Sequence, residues 1–147
     1  MKATIGFGFF LLFLAGLALV MLQGREMARQ NLPGGGAALT GKNWQPSVIA
    51  GERIPRDNTL FVHFAVDGSV NGNSGCNQFS GRLETTESGI AMGNLVSTRK
   101  ACPSAEMERE SAFMNALQST GGFELNLGTL QLLDAEGELL AELFVAE

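Results

Sequence analysis

A run of twenty uncharged, apolar residues near the N-terminus constrains this chain more than any other feature. Residues 3–22 read ATIGFGFFLLFLAGLALVML, and the only charged side chain before them is Lys2. As a helix rising about 1.5 Å per residue, the run would extend roughly 30 Å, the thickness of a bilayer core. It could be an uncleaved transmembrane anchor or a cleaved signal peptide. Its length, and the lack of a small-x-small site after it, favour the anchor.

The two cysteines indicate where the rest of the chain lies. Lys2 precedes the apolar run while Arg25 and Arg29 follow it, so positive charge does not decide the orientation. Cys76 and Cys102 both follow the run, and such a pair suits an oxidising compartment. We therefore predict a periplasmic domain anchored in the inner membrane of the cell envelope, or a periplasmic or secreted protein if the run is cleaved. No cysteine ends the run, which argues against a lipoprotein.

Composition and turn signals divide the chain into three parts. Residues 1–24 form the hydrophobic signal or anchor segment, and residues 25–38, polar and then Gly-rich, are predicted to be a flexible linker. Residues 39–147 are long enough for one domain. From residue 25 onward, nine Lys and Arg residues stand against fifteen Asp and Glu residues, a net charge of −6. That acidic balance leaves no basic excess of the kind that nucleic-acid backbones select, so we predict no nucleic-acid partner.

Short apolar runs between turn signals predict a β-rich domain. The predicted order is five strands, one helix and three strands, with the helix over residues 103–117, where three glutamates crowd the first turns. Pro46 confines the first strand, residues 44–49, to an edge or a bulge. Because short turns join neighbouring strands, they should pair antiparallel. The predicted fold is α+β and mainly β: a curled antiparallel sheet, or partly open barrel, packed around one helix and preceded by the N-terminal transmembrane or signal segment.

Five sequence segments resemble the META domain family, which includes the HslJ envelope protein. They are LTGKNW at 39–44, GCNQFSG at 75–81, STRKACP at 97–103, E-x-x-F-x-x-x-L at 110–117 and LQLLD at 130–134. The resemblance covers about residues 39–145. It implies a small curled sheet that encloses a helix, loosely similar to the pilotin lipoproteins. It also implies an association with envelope stress, drug tolerance or secretion, without an agreed catalytic activity. Unlike HslJ, this chain has no lipobox cysteine.

The resemblance implies a non-enzymatic extracytoplasmic protein that acts in envelope stress tolerance or integrity through contacts with envelope proteins. The alternative is a binder of a lipid or small hydrophobic ligand inside the curled sheet. An enzyme is the third class, but the sequence contains no P-loop, no G-x-G-x-x-G and no H-E-x-x-H. We predict no catalytic residues, no cofactor and no metal site.

The cysteine pair is the first candidate site. Cys76 follows a glycine in a predicted loop, and Cys102 directly precedes the predicted helix. A bridge between them would close a loop of about 27 residues and stabilise the fold by roughly 3–4 kcal/mol. The alternative is a reactive thiol at Cys102, since a helix N-terminus lowers the pKa of a thiol. We predict the structural disulfide.

A polar network is the second candidate. Glu110 shares the inward face of the predicted helix with Phe113, and a buried carboxylate needs a cation or several N–H donors. Arg99, at the end of the preceding strand, is the predicted partner, and Asn77 could supply further hydrogen bonds. The alternative is a polar pocket in which Arg99 binds an anionic ligand.

Aromatic residues and the single histidine complete the candidates. His63 lies on the strand face opposite Val62 and is predicted to be exposed rather than a metal ligand. Trp44, Phe61 and Phe79 are predicted to fill the core, although they could also line a cavity for an acyl chain or peptide.

Overall fold

The structure, a computed structural model, describes residues 35–86 and 89–146. The predicted N-terminal segment, residues 1–24, and most of the predicted linker, residues 25–38, lie outside the described residues. Within those that are described, neither helix has the length and apolar character needed to cross a bilayer.

The elements follow the predicted alternation of strands with one long helix. In the described ranges they are α1 Gly35–Leu39, β1 Asn43–Ile49, β2 Glu52–Arg53, β3 Phe61–Phe64, β4 Ser69–Asn73, β5 Gln78–Thr86, β6 Gly89–Ser97, α2 Ser104–Gln118, β7 Gly122–Asn126, β8 Thr129–Leu133 and β9 Leu139–Val145.

All the strands belong to one antiparallel sheet in the order β6-β5-β4-β3-β1-β9-β8-β7, with β2 paired on β1. Two meanders, β3 to β6 and β7 to β9, flank the central strand β1. The helix α2 connects the two edge strands, β6 and β7, and packs on the concave face of the sheet. The predicted fold class, a curled antiparallel sheet with one main helix, is confirmed.

The first strand is bent where its proline lies. Pro46 has no backbone N–H, and the register of β1 on β9 shifts between Pro46 and Val48. On its other side β1 pairs with β3 only through Asn43 and Trp44, and beyond the bulge it pairs with β2. Of the two predicted alternatives, an edge strand or a bulge, the structure shows the bulge, since β1 lies inside the sheet between β3 and β9.

The core lies between the sheet and α2. Side chains alternate along β3, so that Val62 and Phe64 are buried while Phe61 and His63 point outward. The helix contributes Phe113, Ala116 and Leu117, and the Phe113 ring meets the Phe79 ring edge-on, with centroids 6.2 Å apart. Trp44 is fully buried, and its Nε1–H donates to the Leu39 carbonyl at 2.9 Å.

Three details differ from the prediction. The helix begins at Ser104, with Pro103 at the N-cap position. The apolar run at residues 60–66 predicts a strand of that length, but β3 ends at Phe64, because residues 65–68 form a turn in which the Gly68 N–H donates to the Ala65 carbonyl at 3.0 Å. The short elements α1 and β2 have no apolar period and were not predicted.

Candidate functional site

The two cysteines form the predicted disulfide. Cys76 lies in the loop between β4 and β5, Cys102 lies two residues before α2, and their Cα atoms are 6.1 Å apart. The bond closes a loop with a sequence separation of 26 residues. In the chain-entropy model, such a loop stabilises the fold by about 3.5 kcal/mol. Since the Cys102 sulfur is bonded, it does not act as the free thiol of the alternative interpretation.

Asn77, next to the disulfide, connects three parts of the fold. Its side chain is 2% exposed. Its amide Nδ2 donates to both carboxylate oxygens of Glu110, at 3.0 Å each. Its Oδ1 accepts hydrogen bonds from the Lys100 backbone N–H at 2.8 Å and from the Thr98 hydroxyl at 2.7 Å. The same side chain therefore joins the β4–β5 loop to the segment after β6 and to the helix.

Glu110 is the buried carboxylate of this cluster. It is 7% exposed and lies on the face of α2 that packs on the sheet. An amide that donates to both oxygens replaces part of the hydration that the carboxylate loses on burial. In the described residues, every buried side-chain nitrogen and oxygen has a hydrogen-bond partner.

The predicted pair between Arg99 and Glu110 is not formed. Arg99 is exposed, and the hydrogen bonds of Glu110 come from Asn77. The backbone after β6 turns so that the Lys100 N–H, and not the Arg99 guanidinium, points at Asn77. The structure thus brings Asn77 and Glu110 together and leaves Arg99 at the surface. Arg99 therefore does not form a polar pocket together with Glu110, and the alternative of an anionic ligand bound by Arg99 stays a prediction.

Ser74 is a member of the cluster that sequence reasoning missed. It is fully buried, and both its backbone N–H and its hydroxyl donate to the Asn77 carbonyl, at 2.8 and 2.9 Å. Gly75, with a φ of +108°, lets the chain turn between them. The sequence signal was the Asn-Ser-Gly turn that precedes Cys76.

The other candidate residues either pack in the core or lie on the outer face of the sheet. Phe79 is buried with Trp44 as predicted, whereas Phe61 points outward and is half-buried. His63 is half-buried on the outer face, and its Nδ1 lies 2.9 Å from the Asn43 Oδ1. Among the residues that the structure places, no group of three or more His, Cys, Asp or Glu side chains could hold a metal ion.

The Cys76–Cys102 disulfide and the Asn77–Glu110 contact together attach α2 to the sheet. A covalent bond fixes the residues before α2, and a buried amide–carboxylate contact fixes its second turn. Both act on the loop between β4 and β5. Because every buried side-chain nitrogen and oxygen of the described residues has a partner within the protein, this arrangement serves to hold the helix on the sheet.

Solved structures share this fold at low sequence identity. An NMR structure of a protein from Burkholderia xenovorans has 20% identity and a TM-score of 0.57, covering 78% of this chain and 88% of that one. A second protein solved by NMR has 19% identity and a TM-score of 0.58, covering 73% and 92%. A crystal structure of a DUF4847 family protein from Bacteroides vulgatus has 13% identity and a TM-score of 0.56, covering 76% and 96%. No curated protein matches the chain.

The sequence itself matches one family model. The model of the META domain matches residues 37–145, which include the disulfide, the Asn77–Glu110 contact and all nine strands. The match begins two residues before the predicted domain boundary at residue 39. The chain therefore belongs to the META domain family.

Proposed function

We propose that this protein is a non-enzymatic META-domain protein that acts outside the cytoplasm, in envelope stress tolerance or integrity, by binding envelope proteins. The observation that carries the proposal is the Cys76–Cys102 disulfide. Disulfides persist in oxidising compartments and are rare in the cytosol. Together with the apolar run at residues 3–22, the disulfide favours an exported domain held at the membrane.

The polar cluster supports a binding role over catalysis. A catalytic carboxylate has to reach a substrate, whereas the Glu110 oxygens face the Asn77 amide inside the core. The cluster instead makes the module rigid, and a rigid surface loses little conformational entropy when a partner binds.

The alternative, a lipid or hydrophobic ligand inside the sheet, finds less support. The concave side of the sheet is filled by Phe113 and Leu117 of α2, which are fully buried together with Trp44. Two shallow depressions lie on outer surfaces instead, one beside Met107 on α2 and one beside Ser80 on β5. A ligand inside the sheet would have to displace the helix.

The test is to isolate the full chain from its own membranes and determine the state of the cysteines and of any bound partner. Free thiols are blocked in intact cells with a membrane-permeant maleimide before lysis. Part of the membrane fraction is then denatured in the presence of the same reagent, and the intact mass of the protein is measured. We expect an unalkylated protein in the membrane fraction that is lighter by two hydrogens than the reduced form. A Cys102→Ser variant is the control, since its lone Cys76 thiol has to be alkylated.

Native mass spectrometry of the rest of the membrane fraction, which is never denatured, identifies what is bound. A stoichiometric protein partner supports the proposal, and a bound lipid without a protein favours the alternative. Recovery of the protein in the cytosol with two alkylated cysteines would overturn the extracytoplasmic placement.

A further inference from the structure

Strand pairing brings several turns together along one side of the sheet, where the strands end. The register aligns Asn43 with His63, Trp44 with Val145, and Thr129 with Phe144. The start of β1, the end of β9, the β3–β4 turn and the β7–β8 turn therefore lie along the same edge. We call residues 40–43, 65–68, 126–129 and 145–146 the entry edge, because the chain from α1 enters the domain here. The name refers to this row of strand ends and turns and not to an edge strand. The entry is fixed by a 2.9 Å hydrogen bond from the Gly41 N–H to the Phe64 carbonyl.

The entry edge exposes apolar side chains at its two turns. Val66, in the β3–β4 turn, is 86% exposed, and Leu127, in the β7–β8 turn, is fully exposed. Val145, at the end of β9, is 38% exposed. Single exposed apolar residues are ordinary, but here the two most exposed ones in the described chain occupy turns of one edge, where polar residues are the rule.

Leu127 is also in a backbone conformation that its residue type disfavours. Leu127 and Gly128 form a two-residue turn between Asn126 and Thr129, with φ values of +49° and +84°. Such turns favour Asn or Gly at the first position, because a branched side chain is crowded in the left-handed region. Since the side chain is fully exposed, contacts within the domain do not explain a leucine here. The β1–β2 turn has the same geometry, with Ala50 at a φ of +49°, but its side chain is a single methyl group. At Leu127 the disfavoured conformation is combined with a large, fully exposed apolar side chain, which indicates a role outside the fold.

Charged residues of both signs lie at both edges. The opposite edge contains the β1–β2 turn and the β8–β9 turn, which are joined by a 2.9 Å hydrogen bond from the Ala50 N–H to the Leu140 carbonyl. The register also places the end of β6 at this edge, followed by the exposed Arg99 and Lys100. At the entry edge the Arg82 guanidinium donates to the Asp67 carbonyl at 3.2 Å. Charge therefore does not distinguish the two edges, whereas the position of the most exposed apolar side chains does.

The chain that enters the domain at this edge follows the apolar run after a short stretch of sequence. Only residues 23–34 separate the run from α1, and a chain of that length extends at most about 40 Å. We propose that the entry edge faces a phospholipid bilayer, with Leu127 and Val66 in contact with the lipid interface. This inference rests on the proposed export and anchoring of the chain. Apolar side chains at the boundary of headgroups and acyl chains are a known mode of peripheral membrane contact.

The test uses the full chain in vesicles of phosphatidylcholine with a minority of phosphatidylglycerol, prepared with and without brominated acyl chains. Tryptophan is introduced by Leu127→Trp and, as the matched control, by Leu139→Trp, since Leu139 is 43% exposed at the opposite edge. Bromine quenches tryptophan on contact, while the natural Trp44 is fully buried and gives the common background. We expect brominated lipid to reduce the emission of L127W and to leave L139W at the Trp44 background.

Hydrogen exchange of the unsubstituted chain in the same vesicles covers the case in which a variant fails to fold. We expect slower exchange in residues 65–68 and 126–129 on addition of lipid, with no change in residues 134–138. If the protein floats with the vesicles but neither L127W nor residues 126–129 respond, the inference is overturned and the proposed function stands. A stronger response at L139W or residues 134–138 overturns the orientation. Protein that does not float with vesicles contradicts the anchoring as well as this inference.

Discussion

Asn77 stabilises the fold because its side chain forms hydrogen bonds with residues in different parts of the chain. Its Nδ2 serves the buried Glu110 carboxylate, and its Oδ1 holds the Lys100 N–H and the Thr98 hydroxyl. Loss of any one of these three partners therefore disturbs the hydrogen bonds that Asn77 makes with the other two. Polar networks of this kind are stabilising only while every member is satisfied.

We predict that Asn77→Ala lowers the free energy of unfolding by about 2–4 kcal/mol, because it leaves a buried carboxylate without its donor. Chemical denaturation measures the loss. Asn71→Ala, at an exposed outward position on β4, and Arg99→Ala should each change stability by less than about 0.5 kcal/mol. If Arg99→Ala were as damaging as Asn77→Ala, the pairing of Glu110 described above would be incorrect.

Asp67 gives the entry edge a dependence on pH. The Ser69 hydroxyl donates to its carboxylate at 2.7 Å and the Ser69 N–H at 2.9 Å, and these hydrogen bonds, with the nearby Arg82 charge, lower the pKa of Asp67 below 3.8. A carboxyl group with a depressed pKa in the folded state stabilises the fold fully above the pKa of the unfolded chain. That contribution is lost as the pH falls through the folded pKa.

We therefore predict that Asp67→Asn reduces stability most above pH 3.8 and that the difference from the unsubstituted protein shrinks at lower pH. Unfolding measured along a pH series provides the comparison. NMR titration of the Asp67 side chain in a Ser69→Ala variant should show its pKa moving back toward 3.8. A constant difference at all pH values would argue against the role of these hydrogen bonds.

Among the elements, the two ends of the sheet, β6 and β7, come together at one glycine. Gly89 has a φ of +150°, and a Cβ there would lie 2.6 Å from the Gly121 carbonyl oxygen and 3.0 Å from the Gly122 Cα. The first residue of β6 thus contacts the chain entering β7, although the two strands are not paired in the described sheet. Only a residue without a side chain permits this approach.

We predict that Gly89→Ala lowers the free energy of unfolding by about 3 kcal/mol, since a steric clash adds to backbone strain. Gly137→Ala is the matched control: its φ is +90°, but a Cβ there would have no atom within 4 Å. It should cost about 1 kcal/mol from strain alone. Equal losses at both positions, measured by chemical denaturation, would show that the approach of β6 to β7 does not matter.

The features that could be predicted from the sequence are those that follow from the spacing of apolar residues or that allow only one solution. Alternating apolar residues located β3, and one possible pairing of two cysteines located the disulfide. The strand β7 was not assigned a range, because Gly121 and Gly122 at its start read as the end of a helix. The partner of Glu110 depended on which way the loop after β6 points its side chains. Neighbouring loop residues such as Arg99 and Lys100 give no periodic signal for that choice.

At the scale of the whole described domain, left-handed turn positions occur at both edges of the sheet. At the opposite edge the β1–β2 turn holds Ala50 at a φ of +49°, and in the β8–β9 turn the Asp134 carboxylate accepts hydrogen bonds from the Glu136 and Glu138 N–H groups at 3.0 and 2.8 Å. The entry edge holds the much larger Leu127 at the same φ, with its side chain fully exposed. Since the turn type does not favour leucine there, a substitution at this position can separate stability from the proposed membrane contact.

We predict that Leu127→Asn raises the free energy of unfolding of the domain by about 1 kcal/mol, because Asn-Gly is the preferred pair in this turn type. The same change should remove the protection from hydrogen exchange that lipid vesicles give to residues 126–129. Leu139→Asn, at the opposite edge, should give no gain in stability and leave the effect of lipid unchanged. Chemical denaturation and hydrogen exchange measure the two effects separately. If Leu127→Asn destabilised the domain, the leucine would be serving the fold, and its exposure would need no lipid to explain it.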